Sequence, residues 1–145
     1  MPASLQYRDL AVRCVTSACH LVGRSAGDVA NRDTSRLELQ RTFDAAFISA
    51  FSEIFNNIAI HAYERSGEGG LRLELTPHDD HLVLEISDNG KTFDLSAVPA
   101  PELESLPEGG MGIHIARACL DELKYTPGPP NRWRLTKYLR AEGEE

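Results

Sequence analysis

The sequence has only three cysteines, no CxxC pair, no basic run and no apolar stretch long enough to cross a membrane. The cysteine pattern argues against a disulfide framework or a zinc site, so we expect three reduced thiols in or near the core. These thiols are Cys14, Cys19 and Cys119. A membrane helix needs roughly 18 apolar residues, and no basic start precedes an apolar run at the N-terminus. We therefore expect a cytoplasmic protein without a membrane partner.

Positive charge is also scarce, with 15 Lys and Arg against 22 Asp and Glu, which gives a formal net charge of -7. Because affinity for a nucleic-acid backbone comes mainly from clustered Lys and Arg, we expect no direct nucleic-acid partner. A phosphate ligand would need backbone amides and a divalent cation to supply much of the positive field. The 145 residues suffice for a core of their own, and we expect a single domain over residues 1–145.

What the sequence does contain is strong apolar periodicity. Spacings of three and four predict helices over residues 8–23, 36–63 and 112–123. Alternation predicts a β-hairpin within residues 71–86, turning at PHDD, and a last strand at NRWRLTKYL, residues 131–139. This order of elements favours an α/β fold, a two-layer sandwich with helices on one face of a mostly antiparallel sheet.

The segment SEIFNNIAIHAY carries a polar row within the longest predicted helix. Four residues turn a helix by about 400 degrees, so Glu53, Asn57 and His61 lie along one side, at the edge of the apolar stripe. Half-desolvated polar groups need a partner. Neighbouring loops could supply hydrogen bonds, or the Asn oxygen could coordinate a hard cation while the Glu orients or deprotonates a nucleophile.

The strand end EISDNG places Asp88 on the same face as the apolar side chains of its strand. A carboxylate at the mouth of the core could accept a hydrogen bond from an exocyclic amine such as that of adenine. Gly90 would let the backbone come close to a flat ring. The alternative is a strand-end Asp in an Asp-Asn-Gly turn.

Residues 91–109 contain three prolines and no clear period, which is typical of a lid, a binding loop or a plain surface loop. The next segment, EGGMGIHIAR, puts three glycines at the start of a predicted helix. Free N–H groups and the macrodipole favour anions at such a start, although a GxG pattern alone is a weak signal.

Taken in order, the ExxxN helix, the strand ending in DNG, the proline-rich loop and GGMG resemble the N box and the two glycine boxes of the GHKL ATPase superfamily, over about residues 36–139. EIFNNIAIHAY, DNGKTFD and GGMGIHIAR look most like the bacterial anti-sigma factor serine/threonine kinases. The resemblance implies the histidine kinase-like ATPase fold, with ATP and Mg²⁺ as cofactors. It also implies a protein that sequesters a sigma factor and phosphorylates an anti-anti-sigma (STAS-type) partner on Ser or Thr, and it leaves a homodimer open.

The resemblance also assigns roles to single residues. Glu53 would be the catalytic residue, a general base toward the acceptor hydroxyl, and Asn57 would be the Mg²⁺ ligand. Asp88 would read the adenine amino group and Gly90 would make room for the ring. Gly110 and Gly112 would cradle the phosphates, with His61 in a supporting role. The residues expected to contact the nucleotide or its metal are Asn57, His61, Asp88, Gly90, Gly110, Met111 and Gly112.

The sequence departs from the family pattern in three segments. Thr92 stands where the first glycine box has its second glycine, and Glu108 stands where members of the kinase group can carry an arginine aimed at the γ-phosphate. Asn131-Arg132 stands where family members often have a Gly-Thr pair whose Thr lies near the adenine. The first two favour an alternative to the kinase, a nucleotide-binding regulatory module that holds a protein partner without phosphoryl transfer. The ATP-binding portion of a sensor histidine kinase is a third, less favoured interpretation.

Overall fold

Residues with alternating apolar side chains form the strands, and residues with apolar side chains at helical spacing form the helices. The computed structural model describes residues 7–22, 34–59, 70–90 and 110–140. Within these ranges the elements are, in chain order, α1 (Arg8–Cys19), α2 (Thr34–Asn57), β1 (Leu71–Pro77), β2 (His81–Asp88), α3 (Gly110–Cys119), β3 (Glu122–Thr126) and β4 (Asn131–Tyr138).

The described strands form one antiparallel sheet in the order β1-β2-β4-β3. β1 and β2 are the predicted hairpin, and their register pairs Leu73 with Ile86. β4 lies between β2 and β3, and it pairs with β2 over eight residues, from His81 opposite Tyr138 to Asp88 opposite Asn131. This register brings the end of β2 against the start of β4.

One face of the sheet is apolar and the described helices cover it. The buried side chains on this face include Leu82, Leu84, Ile86, Trp133 and Leu135. α2 contributes the aromatic part of the same core, namely Phe43, Phe47, Phe51 and Phe55. The opposite face carries exposed charged side chains such as Arg72, Glu74 and Arg134. The predicted two-layer α/β sandwich with an antiparallel sheet is confirmed.

Polar contacts fasten α1 to α2 at both ends of their interface. Arg8 Nη1 donates to Asn56 Oδ1 at 3.2 Å near the end of α2. At the other end, His20 Nε2 lies 2.7 Å from Asp44 Oδ2, and Gln40 Nε2 donates to the carbonyl of Cys19 at 3.1 Å. These bonds supplement the burial of the α1 stripe and fix how α1 lies on α2.

Helix boundaries differ from the predicted ones in two places. α1 ends at Cys19 instead of residue 23. α3 ends at Cys119, and the residues that follow form β3, so the prediction of a helix up to Leu123 is wrong. The predicted end of α2 near residue 63 and the loop over residues 91–109 lie outside the described residues.

The reason for β3 is tertiary pairing with β4. Asp121 N donates to the carbonyl of Thr136 at 3.0 Å, and the Asp121 carboxylate accepts from Tyr138 N at 2.7 Å. These bonds turn the chain out of the helix and alongside β4. Leu123 and Tyr125 then alternate with exposed neighbours and pack against the core, which is a strand pattern in a segment whose helix-forming residues indicated a helix.

The cysteines occupy three different environments. Cys19 is buried, Cys119 is half-buried and Cys14 is exposed, so the expectation of a core or near-core position is wrong for Cys14. The buried residues of α1 are Ala11, Val15, Ala18 and Cys19. Cys14 precedes the buried Val15 by one residue. Because a helix turns about 100 degrees per residue, the side chain of Cys14 points away from the buried face and into solvent. None of the described helices combines the length and apolar character needed to span a bilayer.

The first prediction concerns thiol reactivity. Burial, with a contribution from the charge of Asp44, raises the pKa of Cys19 to about 12. A thiol with that pKa has almost no thiolate at pH 8, and the thiolate is the reactive form. Iodoacetamide at pH 8 should therefore alkylate Cys14 in the folded protein and leave Cys19 unmodified, as read by peptide mass spectrometry.

Alkylation of Cys19 should appear when the same reaction is run in denaturant. Native-state alkylation of Cys19 at the rate of Cys14 would contradict the packing of α1 on α2.

Candidate functional site

A buried carboxylate stands at the end of β2. Asp88 is 3% exposed, and its Oδ1 accepts hydrogen bonds from Gly90 N at 2.9 Å and from Asn131 Nδ2 at 3.1 Å. The bond from Gly90 closes the Asp-Asn-Gly turn that the sequence offered as the alternative. Both of these hydrogen bonds go to the same oxygen, Oδ1. One oxygen of the carboxylate, Oδ1, therefore holds the turn.

Asn131 is the residue that sequence reasoning did not assign to the site. It is 2% exposed at the start of β4, directly opposite Asp88 in the register. Its Nδ2 also donates to the carbonyl of Gly90 at 2.8 Å, and its Oδ1 accepts from Gly128 N at 2.9 Å. The sequence did contain one indication of its burial. Asn131 and Trp133 are two residues apart in a predicted strand, so alternation places both side chains on the same face of the sheet.

Glu53 lies against the start of α3. A Cβ built on Gly112 would come within 2.5 Å of Glu53 Oε2, so the absence of a side chain at this position leaves room for the carboxylate. Gly112 is in the first turn of α3, where backbone N–H groups lack partners within the helix. The positive end of the helix dipole favours an anion there. Half-buried Glu53 thus faces a helix start that also suits phosphate oxygens.

Two adjacent asparagines at the end of α2 have different roles. The side chain of Asn56 accepts the hydrogen bond from Arg8, and therefore joins α1 to α2. Asn57 is 7% exposed, and its Nδ2 has no hydrogen-bond partner in the described part of the chain. An unpaired buried polar group costs about 1–3 kcal/mol. The winding of α2 also widens to π-helical at Ile58 and Ala59, and such widenings are frequent at functional sites.

The carboxamide of Asn57 fits a Mg²⁺ ion whose other ligands come from a phosphate group and water. Among the described residues, no group of three or more His, Cys, Asp or Glu side chains could hold a metal ion. Rotation of a carboxamide exchanges its oxygen and nitrogen, so the unpaired position of Asn57 can present an oxygen. Mg²⁺ takes oxygen ligands, often few from the protein and the rest from phosphates and water.

The structure places the predicted residues in two groups. Glu53 of α2 lies beside Gly112 of α3, and Asn57 follows one helical turn after Glu53. Asp88 and Gly90 are joined to each other at the end of β2. Gly110 and Met111 form the first two positions of α3. His61, Thr92 and Glu108 lie outside the described residues.

The chain matches the family described as histidine kinase-like ATPase domain over residues 15–137. It is 29% identical over 101 residues to the Serine-protein kinase RsbW of Oceanobacillus iheyensis, covering 64% of this chain and 64% of that protein. It is 27% identical over 101 residues to the Serine-protein kinase RsbW of Bacillus subtilis, covering 64% of this chain and 63% of that protein. The chain therefore spans less than two thirds of the length of these relatives.

A solved structure with a similar fold is the histidine kinase domain from the Erythrobacter litoralis EL346 blue-light activated histidine kinase. Its TM-score is 0.52 at 18% sequence identity, covering 68% of this chain and 45% of that chain. At this identity the likeness concerns the fold, and it agrees with the layer order and antiparallel sheet described above.

The second prediction compares two buried asparagines. Asn57→Leu removes a polar group whose nitrogen has no partner among the described residues, and it should raise the free energy of unfolding by about 1 kcal/mol. Asn131→Leu, the matched control, breaks three side-chain hydrogen bonds and should lower it by about 2–4 kcal/mol. Urea denaturation followed by circular dichroism measures both. Equal destabilisation by the two changes would show that Asn57 is paired in the folded protein.

Proposed function

Because the chain belongs to the histidine kinase-like ATPase domain family, we propose that it is an ATP-binding anti-sigma regulatory kinase. It phosphorylates an anti-anti-sigma (STAS-type) partner on Ser or Thr and sequesters a sigma factor. The observation that carries the proposal is the buried carboxamide of Asn57, one turn after Glu53, whose nitrogen has no partner among the described residues. The names of the relatives, which are serine-protein kinases, support it. Residues 1–145 form one such domain.

Asp88 recognises the adenine base in this proposal. An ionised carboxylate only accepts hydrogen bonds, and the bonds from Gly90 and Asn131 both go to Oδ1. The proposal assigns the other oxygen, Oδ2, to an exocyclic amine such as the adenine amino group. The backbone of Gly90, held by Asp88 Oδ1 at 2.9 Å, allows close approach of a flat ring.

The phosphates bind at the start of α3. Backbone N–H groups of Gly110, Met111 and Gly112 have no partners within the helix and point toward the N-terminal end. Asn57 would hold Mg²⁺ through its carboxamide oxygen, and the resemblance gives His61 a supporting role. When bound, Mg²⁺ neutralises part of the phosphate charge, which suits a chain of net charge -7.

Glu53 is the general base of the transfer. Its carboxylate accepts the proton of the acceptor hydroxyl while the hydroxyl oxygen forms a bond to the γ-phosphorus. The bond from that phosphorus to the leaving oxygen of ADP breaks in the same in-line displacement. Position matters more than covalent participation in this chemistry, so the close packing of Glu53 over Gly112 supports the assignment.

The third prediction concerns nucleotide binding. Calorimetric titration should show Mg²⁺-dependent binding of ATP, with a Kd of micromolar order. Asp88→Ala should weaken ATP at least about tenfold by removing the acceptor for the amine. Asn57→Ala should reduce the Mg²⁺-dependent part of the affinity.

Thr76→Ala, at an exposed position of β1, serves as the control and should leave binding unchanged. Absence of ATP binding in the unmodified protein would contradict the proposed function.

The fourth prediction concerns transfer. Glu53→Gln keeps the size of the side chain but cannot take up a proton, so phosphorylation of a co-encoded STAS-type partner should fall by about 10²–10⁴-fold. ATP affinity should change little. Glu38→Gln is the matched control, because Glu38 is exposed on the same helix and should leave the rate unchanged.

The assay follows radiolabelled γ-phosphate into the partner at saturating Mg-ATP. ATP binding without any transfer would refute the kinase and favour a nucleotide-binding regulatory module that acts by holding its partner.

A further inference from the structure

The carboxamide of Asn131 uses both of its donors inside the protein. One hydrogen of Nδ2 goes to Asp88 Oδ1 at 3.1 Å and the other to the carbonyl of Gly90 at 2.8 Å. A carboxamide nitrogen has two hydrogens, so none remains for a ligand. Asn131 therefore influences a ligand through the groups it holds.

The first of these groups is the carboxylate of Asp88. Its Oδ1 accepts from two directions, from Gly90 N at 2.9 Å and from Asn131 Nδ2. Rotation of the carboxylate about the Cβ–Cγ bond would break both bonds. The orientation of the other oxygen, Oδ2, is therefore set before any ligand arrives, and preorganised acceptors bind with a smaller loss of side-chain entropy.

The second group is the turn between β2 and the segment that follows. Asn131 and Asp88 together satisfy the carbonyl and the N–H of Gly90. These are the backbone groups beside which a flat ring would lie in the proposed site. Asn131 thus holds the carboxylate and the backbone of the base site at the same time.

Asn131 is itself held by the turn between β3 and β4. Its Oδ1 accepts from Gly128 N at 2.9 Å. A Cβ on Gly128 would overlap the carbonyl of Pro130, so this turn has no room for a side chain at position 128. The amide is fixed from both ends, by the turn on one side and by Asp88 and Gly90 on the other.

We propose that Asn131 is a positioning residue for base selectivity. By donating hydrogen bonds to Asp88 Oδ1 and to the Gly90 carbonyl, it orients Asp88 Oδ2 toward the exocyclic amine of a purine. A purine with a carbonyl at the same place is disfavoured, because two acceptor oxygens would then face each other. The inference rests on the proposed nucleotide site. It assigns the preference for an amino purine to the pair Asp88 and Asn131, which come from different strands.

The test compares ATP with inosine 5′-triphosphate, which carries a carbonyl oxygen in place of the amino group. In the unmodified protein, calorimetry should show tighter binding of ATP. Asn131→Ala should weaken ATP by about tenfold and change inosine triphosphate by less than about twofold, because only the amine depends on the directed oxygen. In an Asp88→Ala background, Asn131→Ala should cause no further loss of ATP affinity.

A second variant guards against misfolding. Asn131→Ser keeps one donor on a shorter side chain and should narrow the ratio of the two affinities less than Asn131→Ala does. Near-ultraviolet circular dichroism of each variant verifies the packing of the core around Trp133.

The outcomes separate the two proposals. Equal weakening of both nucleotides by the Asn131 variants would mean that Asn131 only stabilises the fold, and it would overturn this inference while leaving the nucleotide site intact. An unchanged ratio in both variants would also overturn it. Failure of the unmodified protein to bind either nucleotide would overturn the inference together with the proposed function.

Discussion

The packing of α2 against the sheet fixes the direction of every candidate side chain on that helix. Phe47, Phe51 and Phe55 recur at intervals of four and are fully buried. Once these rings are in the core, the rotation of the helix about its axis is determined. Glu53 must then emerge on the side that faces α3, and Asn57 must follow it one turn later. The hydrophobic core therefore orients the polar groups, although it contributes no atom to the chemistry.

The two groups of candidate site residues are built in opposite ways. At the strand ends, every hydrogen of the Asn131 carboxamide is used and the acceptor Asp88 is fixed. At the end of α2, the buried nitrogen of Asn57 has no partner among the described residues. In the proposed function, a rigid acceptor suits the selection of a base by its shape and donor pattern. A cation that arrives with its phosphates would instead need a polar group that is left unsatisfied until then.

Much of this arrangement could be predicted from the sequence, because the signals were local. The hairpin, the stripe of α2 and the α/β class follow from periodicity, and the ordered motifs led to the family. β3 was missed because its identity depends on pairing with β4, which outweighs the helix-forming residues around Leu123. Asn131 was missed as a site residue for the same reason. Its importance arises from lying opposite Asp88, and a register between distant strands is not written in either segment alone.

The pairing of β2 with β4 has a consequence for the order of events during folding. Asp88 and Asn131 are 43 residues apart, and α3 and β3 lie between them in the chain. Closing so long a loop costs entropy before any contact repays it, and non-local pairing of this kind slows folding. The hairpin of β1 and β2 can form early on a growing chain. The carboxylate of Asp88 nevertheless lacks its hydrogen bond from Asn131 until β4 has been synthesised and has paired with β2. The proposed recognition of the base is therefore among the last properties that the nascent protein would acquire.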